Sequence, residues 1–198
     1  MVFFGDILIY NSTFELHIAH LRQVLETLST NQLFAKKSKC AFREQQVKYL
    51  GHVISIEGVA TDKKKIEVVA NWPTPQYLKE LRGFLGLAGY YRKFIRHFGI
   101  ISKPLTDLPK KNNYGWNTQA QQAFMVLKKA LCDALVLTLP DFSKTFVLET
   151  DAYDYGLEAV LSQEGKQVTY FSKSLSSKHL GLSIYEKEYL AILMVVEK

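Results

Sequence analysis

The sequence has 198 residues, enough for one large domain or two small ones, and 47% of them are hydrophobic, which suits a packed core. The formal net charge of +6 favours a polyanionic partner. Two cysteines, Cys40 and Cys132, argue against a disulfide framework, and no apolar run has a membrane-spanning length. We therefore expect an intracellular protein, cytoplasmic or nuclear, with no signal peptide and no membrane partner.

The first third of the chain predicts short strands. Val2–Phe4 and Ile7–Tyr10 are β-prone runs on either side of a Gly-Asp pair, which is typical of a tight hairpin. Further strands are predicted at Leu33–Lys37 and Val47–Ser55, and the second of these alternates around Gly51.

A helix is predicted between these strands. Ser12 or Thr13 can cap a helix that begins near Phe14, and Asn31 is a plausible C-terminal stop. Apolar residues recur along it at helical spacing, so we expect a buried face formed by Phe14, Ile18, Leu21, Val24 or Leu25, and Leu28.

The stretch Lys79–Phe98 predicts the central helix of the chain. Gly83, Gly86 and Gly89 form a stripe beside its apolar face, although each glycine costs a helix about 1 kcal/mol relative to alanine. A closely approaching backbone is the usual reason for such glycines. Basic and aromatic side chains flank the stripe: Lys79, Arg82, Arg92, Lys93 and Arg96, with Tyr90, Tyr91, Phe94 and Phe98. This pattern suits a helix against a nucleic-acid backbone, and it equally suits a helix–turn–helix core with a solvated basic rim.

The last third predicts one helix, three strands and a second helix. Thr118–Gln121 resembles a capping box for a helix with Phe124, Leu127 and Leu131 inward. A domain boundary is expected near Leu139. The elements after it are a strand over Phe146–Thr150 that ends at Asp151, a hairpin of Leu157–Gln163 and Gln167–Ser172 across Glu164-Gly165, and a helix opened by the capping box Ser183–Glu186.

Several motifs, taken together and in order, resemble the reverse transcriptase and RNase H of gypsy-type long-terminal-repeat retrotransposon Pol polyproteins. They are Asp6–Tyr10, Ser38–Phe42, Tyr49–His52, Asn71–Pro73, Phe84–Arg92, Leu139–Phe142, Thr150–Ala152 and Tyr185–Glu188. The resemblance covers essentially the whole chain. It implies an α+β fold, with a partial reverse-transcriptase palm and helical thumb followed by a truncated RNase H-like βββα unit. The implied domains are 1–72 for the palm with its primer-grip hairpin, 73–138 for the thumb and connection, and 139–198 for RNase H.

The resemblance also implies a nucleic-acid partner, an RNA–DNA or DNA duplex serving as template and primer. The glycine-striped helix is then thumb, and the Leu50 hairpin is the primer grip rather than an ordinary pair of palm strands. The implied nucleic-acid-binding residues are Leu50, Gly51, His52, Lys79, Arg82, Gly83, Gly86, Gly89, Tyr90, Arg92 and Lys93.

Catalysis in this family requires Mg²⁺ pairs held by clustered carboxylates. The implied catalytic and metal-binding residues are Asp6 for the polymerase, and Asp151 and Glu188 for RNase H. Phe3–Asp6 stands where the family has Tyr-x-Asp-Asp, so one of the two adjacent carboxylates is replaced by Gly5. The other expected ligands lie outside this sequence. We therefore expect weak or absent Mg²⁺ binding and no activity from this chain alone.

Two departures from the family pattern lie inside the RNase H-like segment. Tyr153 replaces a small residue, and Glu158 replaces a strand glycine, adding a charge close to the site or a bulky group in the sheet. The simplest roles for Asp151 and Glu188 are a turn cap and a solvated helix position. Two alternative functions stay open. One is a protein-interaction or scaffold module that self-associates or recruits the missing Pol segments, and the other is an enzyme completed by a second chain.

Overall fold

The computed structural model of the chain describes residues 1–11, 13–110 and 114–197, with the backbone alone at Lys110. These residues divide into two compact units, Met1–Ile56 and Glu57–Lys198. Both units combine helices with short antiparallel sheets, so the expected α+β class is confirmed. Within the described ranges, no helix combines the length and the apolar character that a membrane crossing requires.

The first unit contains two hairpins and one long helix. Its elements are β1 (Val2–Phe3), β2 (Asp6–Ile7), α1 (Phe14–Thr30), a 3₁₀ turn (Lys37–Lys39), β3 (Gln46–Tyr49) and β4 (His52–Ser55). A hairpin forms where it was predicted, but its turn lies at Phe4 and Gly5 rather than at the Gly-Asp pair, because Asp6 is in the second strand, paired to Phe3. The strand predicted at Leu33–Lys37 is wrong. No strand pairs with this run among the described residues. Its C-terminal end instead enters a 3₁₀ turn, in which the Lys39 N–H donates to the Lys36 carbonyl at 2.8 Å.

Helix α1 has the predicted ends but not the predicted burial. The Thr13 hydroxyl accepts a hydrogen bond from the Leu16 N–H at 3.3 Å, and Asn31 caps the C-terminus. Ser12, the other predicted cap, lies outside the described residues. The predicted buried face is wrong, because α1 has no buried residue and Phe14 is 52% exposed. The helical spacing of apolar residues predicts a stripe but not an element that covers it.

The second unit contains most of the secondary structure. Its elements are β5 (Gly58–Thr61), α2 (Lys63–Ala70), α3 (Leu78–Tyr90), α4 (Phe98–Ile101), α5 (Lys103–Asp107), α6 (Thr118–Cys132), β6 (Val147–Tyr153), β7 (Gly156–Gln163), β8 (Lys166–Ser174), α7 (Ser177–Leu180), α8 (Ile184–Val196), and 3₁₀ turns at Arg92–Phe94 and Leu108–Lys110. Leu81 and Phe84 of α3, Leu105 of α5 and Phe124 and Leu127 of α6 meet in one core and are at most 1% exposed.

Two boundaries in this helical part differ from the prediction. The central helix ends at Tyr90 rather than Phe98, and the 3₁₀ turn that follows brings Phe94 and Ile95 into the core. Two glycines in the last two turns of α3 weaken it, and tight turns are common at helix ends. Helix α6 is capped by Asn117 instead of Thr118, since the Asn117 side chain accepts from the Ala120 N–H at 2.8 Å.

Close backbone contact joins β5 to the segment after α6. Val59 and Leu137 exchange two hydrogen bonds, of 2.7 and 2.9 Å. Gly58 lies at φ +134°, and a Cβ atom there would stand 2.1 Å from the Leu137 carbonyl oxygen. Only glycine fits this position, for both reasons.

Strands β6, β7 and β8 form an antiparallel meander in that order. The predicted hairpin is confirmed, and its turn residues Glu164 and Gly165 both have positive φ, as a two-residue hairpin turn requires. Strand β6 continues past Asp151, where the prediction ended it, to Tyr153. The predicted capping box of α8 is confirmed, and Ala191 of α8 packs on the sheet beside Ala152 and Leu157.

Candidate nucleic-acid interface

Helix α3 has one buried face and one open face. Leu81, Phe84 and Ala88 are fully buried, which agrees with their spacing of three and four residues. The opposite face exposes Lys79, Arg82, Gly83, Gly86 and Tyr90, again at helical spacing. A strip of small and basic residues therefore runs along the outside of a helix that its apolar stripe fixes to the core.

The glycines on this open face have no packing role in the described structure. A Cβ atom at Gly86 or Gly89 would meet no described atom within 4 Å, and one at Gly83 would make only an ordinary contact of 3.7 Å with the Trp72 ring. Each glycine destabilises a helix by about 0.5–1 kcal/mol relative to alanine. No packing contact within the described residues compensates for this loss of stability.

The cations along α3 and the following turn lack a counter-charge within the described residues. Among the residues that the structure describes, no carboxylate forms an ion pair with Lys79, Arg82, Arg92 or Arg96. All four side chains are exposed. Exposed cations without partners produce a positive potential that attracts a polyanion.

Lys93 differs from these four residues. It is half-buried, and burial lowers the pKa of its ammonium group. Its Nζ atom lies 5.3 Å from the centroid of the Phe94 ring, within the range of a cation–π interaction. Lys93 is therefore less accessible to a ligand than the four exposed cations.

The β3–β4 hairpin turns at Leu50 and Gly51, with φ of +50° and +74°. Glycine adopts this conformation freely, whereas leucine does so at a cost of about 1–2 kcal/mol. Side chains next to the turn point inward, since Tyr49 and His52 are 8% and 9% exposed. Leu50 and Gly51 in the turn are half-buried, and the predicted contact of this hairpin with nucleic acid remains a prediction.

Three relatives show how widely this sequence is shared. The chain is 37% identical to the Retrovirus-related Pol polyprotein from transposon 297 and 33% identical to that from transposon gypsy, both of Drosophila melanogaster, over 97% and 100% of its own length. It spans only 18% and 20% of those two proteins. It is 45% identical to the Uncharacterized mitochondrial protein AtMg00860 of Arabidopsis thaliana, over 69% of this chain and 87% of that protein.

The family described as "RNase H-like domain found in reverse transcriptase" matches residues 116–198. The chain belongs to the reverse transcriptase/RNase H family of transposon Pol polyproteins. The resemblance that its motifs suggested is thereby confirmed, and the chain corresponds to part of the Pol reverse transcriptase/RNase H region.

Solved structures of a foamy viral protease–reverse transcriptase share the fold of this Pol segment. One, in complex with double-stranded DNA, superposes with a TM-score of 0.85 over 94% of this chain and 34% of that one. Another, in complex with an RNA/DNA hybrid, gives a TM-score of 0.83 over 94% and 26%. Sequence identity is 24% in both cases, so the likeness is one of fold.

The three predicted catalytic carboxylates of this Pol segment lie in different settings. Asp6 is exposed on β2 of the first unit, and Asp151 is exposed on β6. Glu188 is half-buried on α8, one turn before Ala191, which packs on the sheet. Their catalytic roles remain predictions.

RNase H-like domains of this family generally depend on metal ions. Among the described residues, no group of three or more His, Cys, Asp or Glu side chains is placed to hold a metal ion. A centre for two ions needs such a cluster, so the described donors do not fit it by themselves.

Sequence reasoning singled out Glu158 but missed its partner, His97. Glu158 lies opposite Asp151 in the β6–β7 register, and its carboxylate is ion-paired with His97. The expected charge near Asp151 is therefore present, but its partner is 61 positions away in the chain. Its departure from the family glycine was the available signal, and nothing in the sequence indicated His97.

Proposed function

We propose that this chain binds an RNA–DNA or DNA duplex on the open face of α3, as the thumb of a transposon reverse transcriptase. The observation that carries the proposal is the space over Gly86 and Gly89, which no described atom occupies, beside exposed cations that pair with no described carboxylate. Bare glycine backbone allows a sugar–phosphate chain to approach closely, and the cations neutralise its phosphates. Similar structures that hold double-stranded DNA and an RNA/DNA hybrid support the choice of ligand.

The test compares duplex affinity with fold stability in the same variants. Gly86→Leu places a large side chain on the open face, and we expect fluorescence anisotropy at low salt to show an affinity lower by at least about tenfold. Gln122→Leu is the matched control, because Gln122 is exposed on α6. Equal affinity of Gly86→Leu and wild type would refute the proposed site.

The cations give a second, independent readout. Arg82→Ala removes one phosphate contact, so the slope of log affinity against log salt concentration should fall by about 0.9. Lys129→Ala, which removes an exposed cation from α6, should leave the slope unchanged. Equal effects of the two substitutions would mean that net charge, rather than the α3 surface, attracts the duplex.

Catalysis by this chain alone is not part of the proposed function. Asp6, Asp151 and Glu188 are the residues that we propose as Mg²⁺ ligands by family resemblance, and each needs further carboxylates to hold two ions. We expect neither primer extension nor cleavage of a hybrid with Mg²⁺. Either activity in a purified sample would overturn this expectation, and activity gained only on adding a separate fingers–palm segment would show completion by another chain.

A scaffold function is the second candidate, and the surface of α1 favours it. Phe14, Ile18 and Leu25 are 52%, 39% and 44% exposed along one side of the helix. Such apolar surface recruits protein partners or a second copy. Self-association that is insensitive to salt, without duplex binding, would support this function over the first. For either function we keep the division into 1–72, 73–138 and 139–198 as a proposal.

A further inference from the structure

One buried charge connects the helical part of the second unit to its sheet. The Glu158 side chain is 6% exposed, and its Oε2 atom lies 2.5 Å from His97 Nδ1. The Tyr153 hydroxyl and the Ser172 hydroxyl both donate to Oε1, at 3.2 and 3.3 Å. A buried carboxylate is stable only when it is paired and hydrogen-bonded in this way.

The backbone around His97 is shaped to make this contact. His97 has φ of +61°, an uncommon conformation for a residue with a side chain, and α4 begins at the next residue. Two residues further on, the Gly99 N–H donates to Ser172 Oγ at 2.8 Å. A Cβ atom at Gly99 would lie 2.9 Å from the Lys173 backbone nitrogen, so the helix start and strand β8 are in close backbone contact.

The position of the pair in the chain and in the sheet gives it a role. His97 immediately follows the basic residues Arg92, Lys93 and Arg96, and Glu158 lies in the same row of the sheet as Asp151 and Ser172. Directly opposed residues in antiparallel strands project from the same face. The departures from the family pattern at positions 153 and 158 also meet here, since Tyr153 donates to Glu158.

We infer that His97 and Glu158 are positioning residues: their contact, called the joint below, holds the basic side chains of Arg92, Lys93 and Arg96 in place on the RNase H-like sheet for duplex binding. This inference rests on the proposed function, because the joint acts through cations that would contact the duplex. It adds a role for two residues that do not themselves touch the ligand.

A double-mutant cycle tests the joint. His97→Asn removes the imidazole that contacts the carboxylate and keeps a residue that tolerates positive φ, whereas Glu158→Gln removes the charge and keeps the size. His97 is 49% exposed and Glu158 is buried. Losing His97 therefore strands a buried charge, and we expect the unfolding equilibrium constant to rise by more than about tenfold.

Losing Glu158 leaves only a half-exposed histidine, so Glu158→Gln should cost less, and in the double variant it should rescue His97→Asn. Tyr153→Phe is the matched control, since it removes one hydrogen bond and leaves the ion pair. Additive effects of the two substitutions would overturn the joint.

Duplex affinity tests the positioning role under conditions where every variant is folded. We expect His97→Asn to weaken binding by at least about threefold at low salt, through misplaced phosphate contacts, and Glu158→Gln to restore it in the double variant. Unchanged affinity in His97→Asn, with Gly86→Leu still impaired, would overturn the positioning role alone. If the wild-type chain binds no duplex, the proposed function fails and the positioning role with it, whereas a non-additive cycle would still establish the joint.

Discussion

Helices α1 and α3 have similar amphipathic sequences and opposite surroundings. The apolar stripe of α3, formed by Leu81, Phe84 and Ala88, is fully buried, and the outer face of the helix carries glycines and cations. Helix α1 has no buried residue, and its own apolar stripe is open. The pattern along each sequence predicts a helix equally well, but only the structure shows that the apolar stripe of α3 is covered and that of α1 is not.

The difference also separates the two candidate functions. An open face of bare backbone and cations suits a sugar–phosphate chain, and an open face of leucine, isoleucine and phenylalanine suits another protein surface. The first face belongs to a helix that the core holds in place, which favours a precise binding site on α3.

Truncating a large side chain in each helix should give the largest contrast. Phe84→Ala removes a fully buried ring, and we expect the free energy of unfolding to fall by about 3–5 kcal/mol. Leu25→Ala in α1, where Leu25 is 44% exposed, should cost less than about 1 kcal/mol. Urea denaturation measures both values, and equal losses would contradict the burial described for α1.

The same substitution at two glycines should act in opposite directions. Gly99→Ala forces a methyl group against the β8 backbone and should destabilise the fold by about 1–3 kcal/mol. Gly86→Ala meets open space within a helix and should stabilise it by about 0.5–1 kcal/mol, while weakening duplex binding. A destabilised Gly86→Ala would reveal a packing role and remove the main argument for the α3 site.

Charge on the open face of α1 should affect association and leave the α3 site intact. We expect Leu25→Lys to reduce any self-association, measured by sedimentation at several salt concentrations, because it interrupts the exposed apolar stripe. Duplex affinity should stay within a fewfold of wild type. A large loss of duplex binding in this variant would mean that α1 contributes to the nucleic-acid site.

A pH effect at the helix ends should be the smallest. The Ser183 backbone N–H and then its hydroxyl lower the pKa of Glu186 in the capping box of α8. Its contribution to stability is therefore present above the ordinary glutamate pKa and is lost as pH falls through the lowered value. Glu186→Gln should remove this part of the acid dependence, as followed by NMR titration. The start of α1, where Thr13 caps without a reciprocal acid, should show no such dependence.

Local signals in the sequence predicted much of the fold. The Ser183 capping box, the turn at Glu164 and Gly165, and the inward residues of α6 are each set by neighbours a few positions apart, and all are confirmed. The errors have a different origin. The open stripe of α1 and the unpaired run at Leu33–Lys37 depend on which elements lie beside them, and this is not encoded locally.

The candidate site divides in the same way. The open face of α3 could be predicted, because glycines and bases at helical spacing identify one side of a helix. The ion pair of His97 with Glu158 could not, since it joins residues that only tertiary packing brings together. The departures from the family pattern at Tyr153 and Glu158 indicated an unusual site in the sheet, but they did not indicate that His97 contacts Glu158.

Mapping a bound duplex on the α3 surface tests the account most directly. An RNA–DNA hybrid is titrated at low salt into the isotopically labelled chain, and backbone amide shifts are followed by NMR. We expect the largest shifts at Lys79, Arg82, Gly86, Gly89 and Tyr90, on the open face of α3. Saturable binding that shifts other surfaces and leaves these amides unmoved, or no binding at all, would contradict the assignment of α3 as the nucleic-acid interface.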